Sequence, residues 1–171
     1  MRRFDEGGLR FEFDGDEAGK YDEWRFYQKR FKDSCNGNKA VDFVYVEADR
    51  TWLIEVKDYR QHLRTKPGDL ADEVAIKVRD TLAGLAAAKL NADDQDERRL
   101  ARHALQKSKL RVVLHLEQSA NPSKLFPRIV DPSKLKQKLK QKLKAIDPHP
   151  CVVDRNSLRP EMNWTVESIG T

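Results

Sequence analysis

Residues 40–60 read AVDFVYVEADRTWLIEVKDYR, and this stretch decides the fold. It contains two apolar runs, Val41–Val46 and Thr51–Val56, separated by a short polar break at residues 47–50. Short runs rich in β-branched and aromatic residues favour strands over helix, so the pattern predicts a β-hairpin. The runs are nearly continuous rather than alternating, which indicates that both faces of the hairpin are covered.

The charged residues of this hairpin predict a site. Side chains alternate between faces along a strand, so Glu55 and Lys57 point to the same side. If the turn is centred on residues 48–49, Asp42 lies directly opposite Glu55, with Cβ atoms about 4.5–5.5 Å apart; a loop of odd length would shift this register. Two carboxylates so close repel unless a cation joins them, and Mg²⁺ is a natural partner. With a lysine on the same face, the arrangement indicates metal-assisted hydrolysis of a phosphodiester.

Asp42 followed by Glu55-Val56-Lys57 on the next strand resembles the signature of the PD-(D/E)xK nuclease superfamily, which has the restriction-endonuclease-like fold. The resemblance implies catalytic roles for Asp42, Glu55 and Lys57. Asp42 and Glu55 would hold Mg²⁺, or Mn²⁺ in its place, the Val56 carbonyl would be a further ligand, and Lys57 would position or activate water. The proline of the signature is absent, because Val41 precedes Asp42.

Many members of the superfamily also carry an acidic metal-binding residue on the first helix. Glu23 is the candidate here, since it lies in the middle of a predicted helix over Glu17–Lys32, and Asp22 and Glu17 are its competitors. A solvated helix face would explain any of the three.

The remaining elements fit the same fold. The patterns predict a short strand at Leu9–Phe13 on a sheet edge, a helix at Asp69–Leu90, and a strand at Leu110–Glu117 that pairs in parallel with the hairpin. Helix, hairpin, helix and strand follow the αβββαβ order of the superfamily's core. We therefore expect one α/β domain over residues 1–171, with a central mixed β-sheet flanked by helices and a core at residues 9–117. A basic helix and an edge strand follow within residues 132–154.

Two basic segments suit contacts with nucleic-acid phosphates. Arg60, Arg64 and Lys66 follow the proposed catalytic strand. Lys136 and Lys140 lie on a helix predicted from Pro132 to Ile146, whose other lysines also surround a narrow apolar stripe. A solvated surface explains most of these cations equally well.

Composition narrows the class of protein. The chain has 171 residues, 36% of them charged, and a net charge of +5. No apolar stretch reaches membrane length, and Cys35 and Cys151 lie too far apart in sequence to indicate a disulfide framework. These features predict a cytoplasmic protein with no membrane partner.

The favoured hypothesis is a Mg²⁺-dependent nuclease, a DNA endonuclease in particular, with RNA and a homodimer left open. One alternative is a catalytically inactive nucleic-acid-binding or assembly module on the same fold. A further alternative is a structural protein in which Lys57 forms an ordinary ion pair with Glu55 or with Asp42 at a strand end.

Overall fold

A computed structural model of the chain describes residues 1–119, 121–125 and 129–169. The fold is α/β, with a five-stranded mixed sheet, a three-stranded antiparallel sheet and flanking helices. The strands are β1 (Arg2–Glu6), β2 (Leu9–Phe13), β3 (Ala18–Lys20), β4 (Phe43–Val46), β5 (Arg50–Asp58), β6 (Lys109–Glu117), β7 (Cys151–Val153) and β8 (Trp164–Ser168). The α-helices are α1 (Leu70–Asn91), α2 (Gln95–Gln106) and α3 (Pro132–Leu143).

The predicted hairpin is confirmed as β4 and β5, at the centre of the larger sheet, whose order is β3-β4-β5-β6-β7. Phe43 pairs with Ile54, and Val46 pairs with Thr51. The same register places Asp42 beside Glu55, as predicted. All four residues of β4 are buried, which confirms that both faces of the hairpin are covered.

The prediction of a parallel strand after the helical segment is also confirmed. β6 pairs in parallel with β5, so that Glu55 lies beside Leu114 and Lys57 beside Leu116. The crossover between them runs through α1 and α2, as a parallel connection requires. β7 pairs with β6 and forms the sheet edge, as expected for the strand near Cys151.

The five-stranded sheet separates two apolar cores. Val44 and Leu53 face the helices and pack with Leu85 of α1 and Leu139 of α3. The alternate residues of the same two strands face the opposite side of the sheet and pack with Phe11 and Trp164 of the three-stranded sheet. They are Phe43, Tyr45, Trp52 and Ile54. The molecule therefore has three layers: helices, the mixed sheet and the small antiparallel sheet.

The small sheet corrects one prediction. Leu9–Phe13 is not an edge strand, because β1 pairs with it on one side and β8 on the other. β1 reads RRFDE and carries too few apolar residues to be recognised as a strand from sequence. The tail strand β8 buries Trp164 and Val166 against the sheet.

The predicted helix over Glu17–Lys32 is wrong. Its first residues form β3, which pairs with β4, and the rest forms two short helical turns, at Tyr21–Glu23 and Tyr27–Phe31. Its aromatic residues Tyr21, Trp24 and Tyr27 are buried, and they pack on neighbouring segments rather than along one helix face. Trp24, for example, closes over Gly19, where an added Cβ would lie 2.9 Å from its Nε1 atom.

Each α-helix in the described ranges is preceded by an aspartate that caps its amino terminus. Asp69 accepts a hydrogen bond from Ala71 N of α1. Asp94 and Asp131 likewise accept hydrogen bonds from backbone amides in the first turns of α2 and α3. α3 ends at Leu143, a few residues before the predicted end at Ile146. Within the described ranges, no helix has the length and apolar character needed to cross a membrane.

Candidate functional site

Glu55 and Lys57 lie in a network of charges between β5 and α1. Both side chains point to the helix side of the sheet. The Glu55 Oε1 atom lies 2.8 Å from Lys57 Nζ and 2.6 Å from Lys77 Nζ. Lys57 Nζ also lies 2.8 Å from Glu73 Oε1, and Glu73 in turn pairs with Arg64 at 2.9 Å. The two residues of the motif therefore meet partners that the motif itself does not contain.

These contacts keep Lys57 charged. Burial alone would lower the pKa of Lys57, but the carboxylates of Glu55 and Glu73 outweigh burial and raise it above its ordinary value. For Glu73 the balance has the opposite direction: burial favours the neutral acid, yet Lys57 and Arg64 lower its pKa to about 2. Lys57 is thus an ammonium held between two carboxylates, and it cannot accept a proton from water.

Asp42 has a different protonation state from Glu73. It is 7% exposed, and burial followed by the nearby negative charge of Glu55 raises its pKa to about 8. Its Oδ2 atom accepts a hydrogen bond from Val56 N at 2.6 Å. The group of Val56 that meets Asp42 is therefore the backbone amide. In the absence of a cation, burial and the charge of Glu55 therefore favour the protonated form of Asp42.

Asp42 also belongs to a carboxylate cluster with Glu6 and Asp22, in which one oxygen of each residue lies within 4.8 Å of the others. A backbone hydrogen bond of 2.8 Å from Tyr21 N to Asp42 O brings the turn that carries Asp22 against β4. Burial, and then the charge of Glu6, raises the pKa of Asp22 to about 6. Among the described residues, the buried Asp22 Oδ1 and Glu55 Oε2 atoms have no hydrogen-bond partner.

The other acidic residues considered for this position lie outside the cluster. The Glu23 side chain is 65% exposed and pairs with Lys20 at 2.7 Å. Glu17 contacts His103 on α2. Of the three acidic residues weighed from the sequence, Asp22 is the one that joins Asp42. Glu6 was missed, because its approach depends on the unrecognised strand β1.

The basic residues after β5 are mostly engaged within the protein. Arg60 makes hydrogen bonds of 2.8 Å and 2.6 Å to the Asp58 carboxylate and one of 2.7 Å to Ser168 Oγ. Arg64 is held by Glu73, whereas Lys66 is 69% exposed and lies 3.8 Å from the same carboxylate. Both arginines therefore stabilise the strand exit.

Lys136 and Lys140 are exposed on α3, away from the carboxylate cluster. They line a surface cleft of about 370 Å³ together with Arg111, His149 and Arg159. The sequence does not predict that these three residues lie near the lysines. Arg111 is on β6, and His149 and Arg159 are in the loops before and after β7.

Comparison with known proteins identified a relative of a different class. The cysteine–tRNA ligase of Neisseria meningitidis (serogroup A / serotype 4A, strain DSM 15465 / Z2491) is 35% identical over 156 residues, covering 73% of this chain and 22% of the ligase. The chain thus spans about a fifth of the length of that relative. No family model matches the chain, and no solved structure matches it.

This similarity overturns the prediction of a Mg²⁺-dependent nuclease, because the relative is a tRNA ligase and not a phosphodiesterase. The geometry gives a physical reason for the error. Lys57 is locked as an ammonium by Glu55 and Glu73, and Lys77 already neutralises the carboxylate that the motif would assign to a metal. The spacing of Glu55 and Lys57 predicts that their side chains share a face of the sheet, but it contains no information on Glu73 and Lys77, which lie on α1.

Proposed function

We propose that the chain is a nucleic-acid-binding module that binds tRNA, related to one part of a cysteine–tRNA ligase. The observation that carries this proposal is the 35% identity to that ligase over 73% of the chain. The chain corresponds to only 22% of the ligase, so we propose a binding role rather than aminoacylation by this segment alone. RNA replaces the expected DNA as the partner.

The charge of the molecule supports this role. The chain has a net charge of +5, and several lysines of α3 are exposed without carboxylate partners among the described residues, as an RNA-binding surface requires. Lys138 and Lys142 are different, because they pair with Asp69 and Asp72 of α1. Lysines 136 and 140 thus remain available to a polyanion.

Fluorescence anisotropy with labelled nucleic acids tests the proposal. A cysteine-accepting tRNA transcript should bind, with an affinity that falls as the salt concentration rises, because bound phosphates release counterions. A DNA hairpin of matched length and charge is the control and should bind more weakly, since it lacks 2′-hydroxyl groups and the tRNA shape. Failure of tRNA to bind at low salt, or equal binding of the DNA, would contradict a tRNA-binding module.

We also propose that the carboxylate cluster of Glu6, Asp22 and Asp42 binds a divalent cation, Mg²⁺ or Mn²⁺. Hard cations prefer carboxylate oxygens, and the unpartnered Asp22 Oδ1 atom favours a ligand at this place. The positive charge of the ion would offset the burial and the nearby negative charge that otherwise raise the pKa of Asp42.

Calorimetric titration with Mn²⁺ should detect one site in the wild type and none in Asp22→Asn. Glu23→Gln is the matched control, because Glu23 is exposed and lies outside the cluster, and it should bind as the wild type does. Equal binding by both variants would argue against the cluster as the site.

A finer proposal concerns the fold. We infer that β4, β5, α1 and β6 correspond to the core of the restriction-endonuclease-like fold, without its nuclease activity. The parallel pairing of β5 with β6 and the shared face of Asp42, Glu55 and Lys57 support this correspondence. An experimental structure whose core strands fail to superpose on a restriction endonuclease would refute it.

A further inference from the structure

A basic cleft lies at the end of the sheet where β6 begins, and it is formed by Arg111, Lys136, Lys140, His149 and Arg159. Arg111 pairs with Trp52, whereas Lys57 pairs with Leu116, five residues further along β6. At about 3.3 Å per residue, the cleft therefore lies about 16 Å along the strand from Lys57. It is a separate feature from the carboxylate cluster.

The wall of this cleft is built by a buried carboxylate. Asp147 is 1% exposed and accepts hydrogen bonds of 2.8 Å from Val112 N and from His149 N. The loop is further restricted by Pro148 and Pro150, whose rings fix their φ angles. Asp147 thus attaches the loop that carries His149 to β6, so the cleft is shaped before any ligand arrives.

Arg111 is oriented by the same loop. Its Nη2 atom donates a hydrogen bond of 2.9 Å to His149 O, and its Nε atom lies 3.7 Å from Asp147 Oδ2. That Nε atom is buried and, among the described residues, makes no hydrogen bond. The guanidinium group is consequently held in place while part of its donor capacity is unused.

The positive charge of the cleft exceeds the negative charge nearby. Asp147 is engaged by backbone amides, and Glu161 lies 4.0 Å from Arg159, but Lys136 and Lys140 have no carboxylate partner within the described ranges. Lys136 and Lys140 lie four residues apart on α3, about 6 Å along the helix, and they line the same cleft as Arg111. Cations at separate positions along one cleft suit successive phosphates of a nucleic-acid backbone better than a single small anion.

We propose that the basic cleft binds backbone phosphates of RNA and is the principal phosphate contact of this chain. The inference rests on the proposed tRNA-binding function and specifies its surface. Arg111 and Arg159 would contact a phosphate through their planar guanidinium groups, and Lys136 and Lys140 would contact its neighbours as point charges. These contacts position RNA without reading its sequence.

The test compares two pairs of lysines on α3 and its C-terminal cap. Lys136→Gln/Lys140→Gln removes two charges from the cleft, while Lys134→Gln/Lys144→Gln removes two exposed charges outside it, one on α3 and one at the cap that follows α3. For the cleft pair, tRNA affinity should fall roughly tenfold, and the negative slope of log K against log salt should become shallower by about 1.5, that is, by about 0.7–0.9 per lost contact. The control pair should stay within about twofold of the wild type. An equal loss in both pairs, or no loss in the cleft pair, would overturn the proposal.

A second measurement separates this proposal from the tRNA-binding function itself. Pyrophosphate is titrated into the ¹⁵N-labelled full chain, and the amide signals of residues 140, 149 and 159 should shift in the wild type but not in Lys136→Gln/Lys140→Gln. If these signals shift while tRNA does not bind, the cleft holds free phosphate groups, and RNA as its occupant is refuted. If tRNA binds and these signals do not shift with tRNA or pyrophosphate, the proposed function stands and this surface is wrong.

Discussion

At the scale of single residues, the meeting of Asp42 with Glu55 could be predicted from sequence, because the four-residue break at 47–50 fixes the centre of the hairpin. The approach of Glu6 and Asp22 could not be predicted. Glu6 reaches Asp42 through a strand with little apolar signal, and Asp22 reaches it through one backbone hydrogen bond from Tyr21. Local pattern determines neighbours along a hairpin, whereas contacts between distant segments depend on packing.

The raised pKa of Asp42 predicts that stability falls with rising pH. Its pKa is about 8 in the folded chain against an ordinary value of 3.8, so between these values the folded state binds more protons than the unfolded state. The free energy of unfolding should therefore decrease by about 2 kcal/mol from pH 6.5 to pH 9, and Asp42→Asn should remove most of that decrease. Urea unfolding in the presence of a chelator measures it. Asp93→Asn, at an exposed position, should keep the wild-type pH dependence; the same dependence in Asp42→Asn would contradict the assignment.

The charge network predicts a large cost for removing Glu55. The Glu55 side chain is 1% exposed and neutralises both Lys57 and Lys77, so Glu55→Gln leaves two largely buried ammonium groups short of a counter-charge. We expect a loss of about 2–4 kcal/mol in the free energy of unfolding. Lys66→Gln is the control, because Lys66 is exposed, and it should change stability by less than about 0.5 kcal/mol. If Glu55→Gln also changed the free energy of unfolding by less than about 0.5 kcal/mol, the network would have no structural role.

At the scale of elements, the periodicity of apolar residues predicted α1, α3 and the central strands, whereas the structure of residues 17–32 could not be predicted in this way. The aromatic residues of this segment recur near helical spacing, which favours a helix in the sequence. In the structure, Ala18–Lys20 instead forms β3 and makes backbone hydrogen bonds with the outer edge of β4. Tyr21 then packs beneath α1 rather than along a helix of its own. A strand of three residues has too short a pattern to compete with a longer apparent helix in any reading of sequence alone.

The packing of Tyr21 on α1 predicts that Gly84→Ala is destabilising. At an exposed position of a helix, a change from Gly to Ala would raise the free energy of unfolding by about 1 kcal/mol. Here the new Cβ would lie 1.9 Å from Tyr21 Oη and 3.0 Å from Phe31 Cε1, so we expect a net loss of about 1–3 kcal/mol. Thermal or urea unfolding measures the loss.

Two variants identify the cause of that loss. Tyr21→Phe removes the nearest atom, so the double variant with Gly84→Ala should be less destabilised than the sum of the two single changes. Ala86→Gly, at an exposed position of the same helix, reports the propensity difference alone. Simple additivity would show that Tyr21 does not cause the loss.

At the scale of the whole molecule, the α/β class followed from the alternation of strands and helices, but the function did not. The motif at residues 42–57 specified a geometry that other parts of the chain then turn into an ion-pair network. The second sheet escaped prediction because it joins both ends of the described chain, and no local pattern links β2 to β8.

The two cores should nevertheless unfold together, since the mixed sheet forms one wall of each. Trp164→Ala should cost about 3–5 kcal/mol, because Trp164 is 3% exposed and packs against Trp52 with ring centroids 5.2 Å apart. Urea transitions followed by fluorescence and by far-ultraviolet circular dichroism should coincide in this variant. Thr165→Ala, at the exposed neighbour, should cost less than about 1 kcal/mol. Separate transitions would mean that the small sheet melts independently.

The position of β8 has a consequence for biosynthesis. β2 lies between β1, which a ribosome makes just before it, and β8, which emerges only after almost all of the remaining described chain. Until then, the face of the mixed sheet that carries Phe43 and Trp52 lacks part of its cover. Pairing over such a separation is slow, and exposed apolar strands attract chaperones and other nascent chains. Synthesis that stops before β8 should therefore give an aggregation-prone product, even though every residue of the carboxylate cluster has already been made.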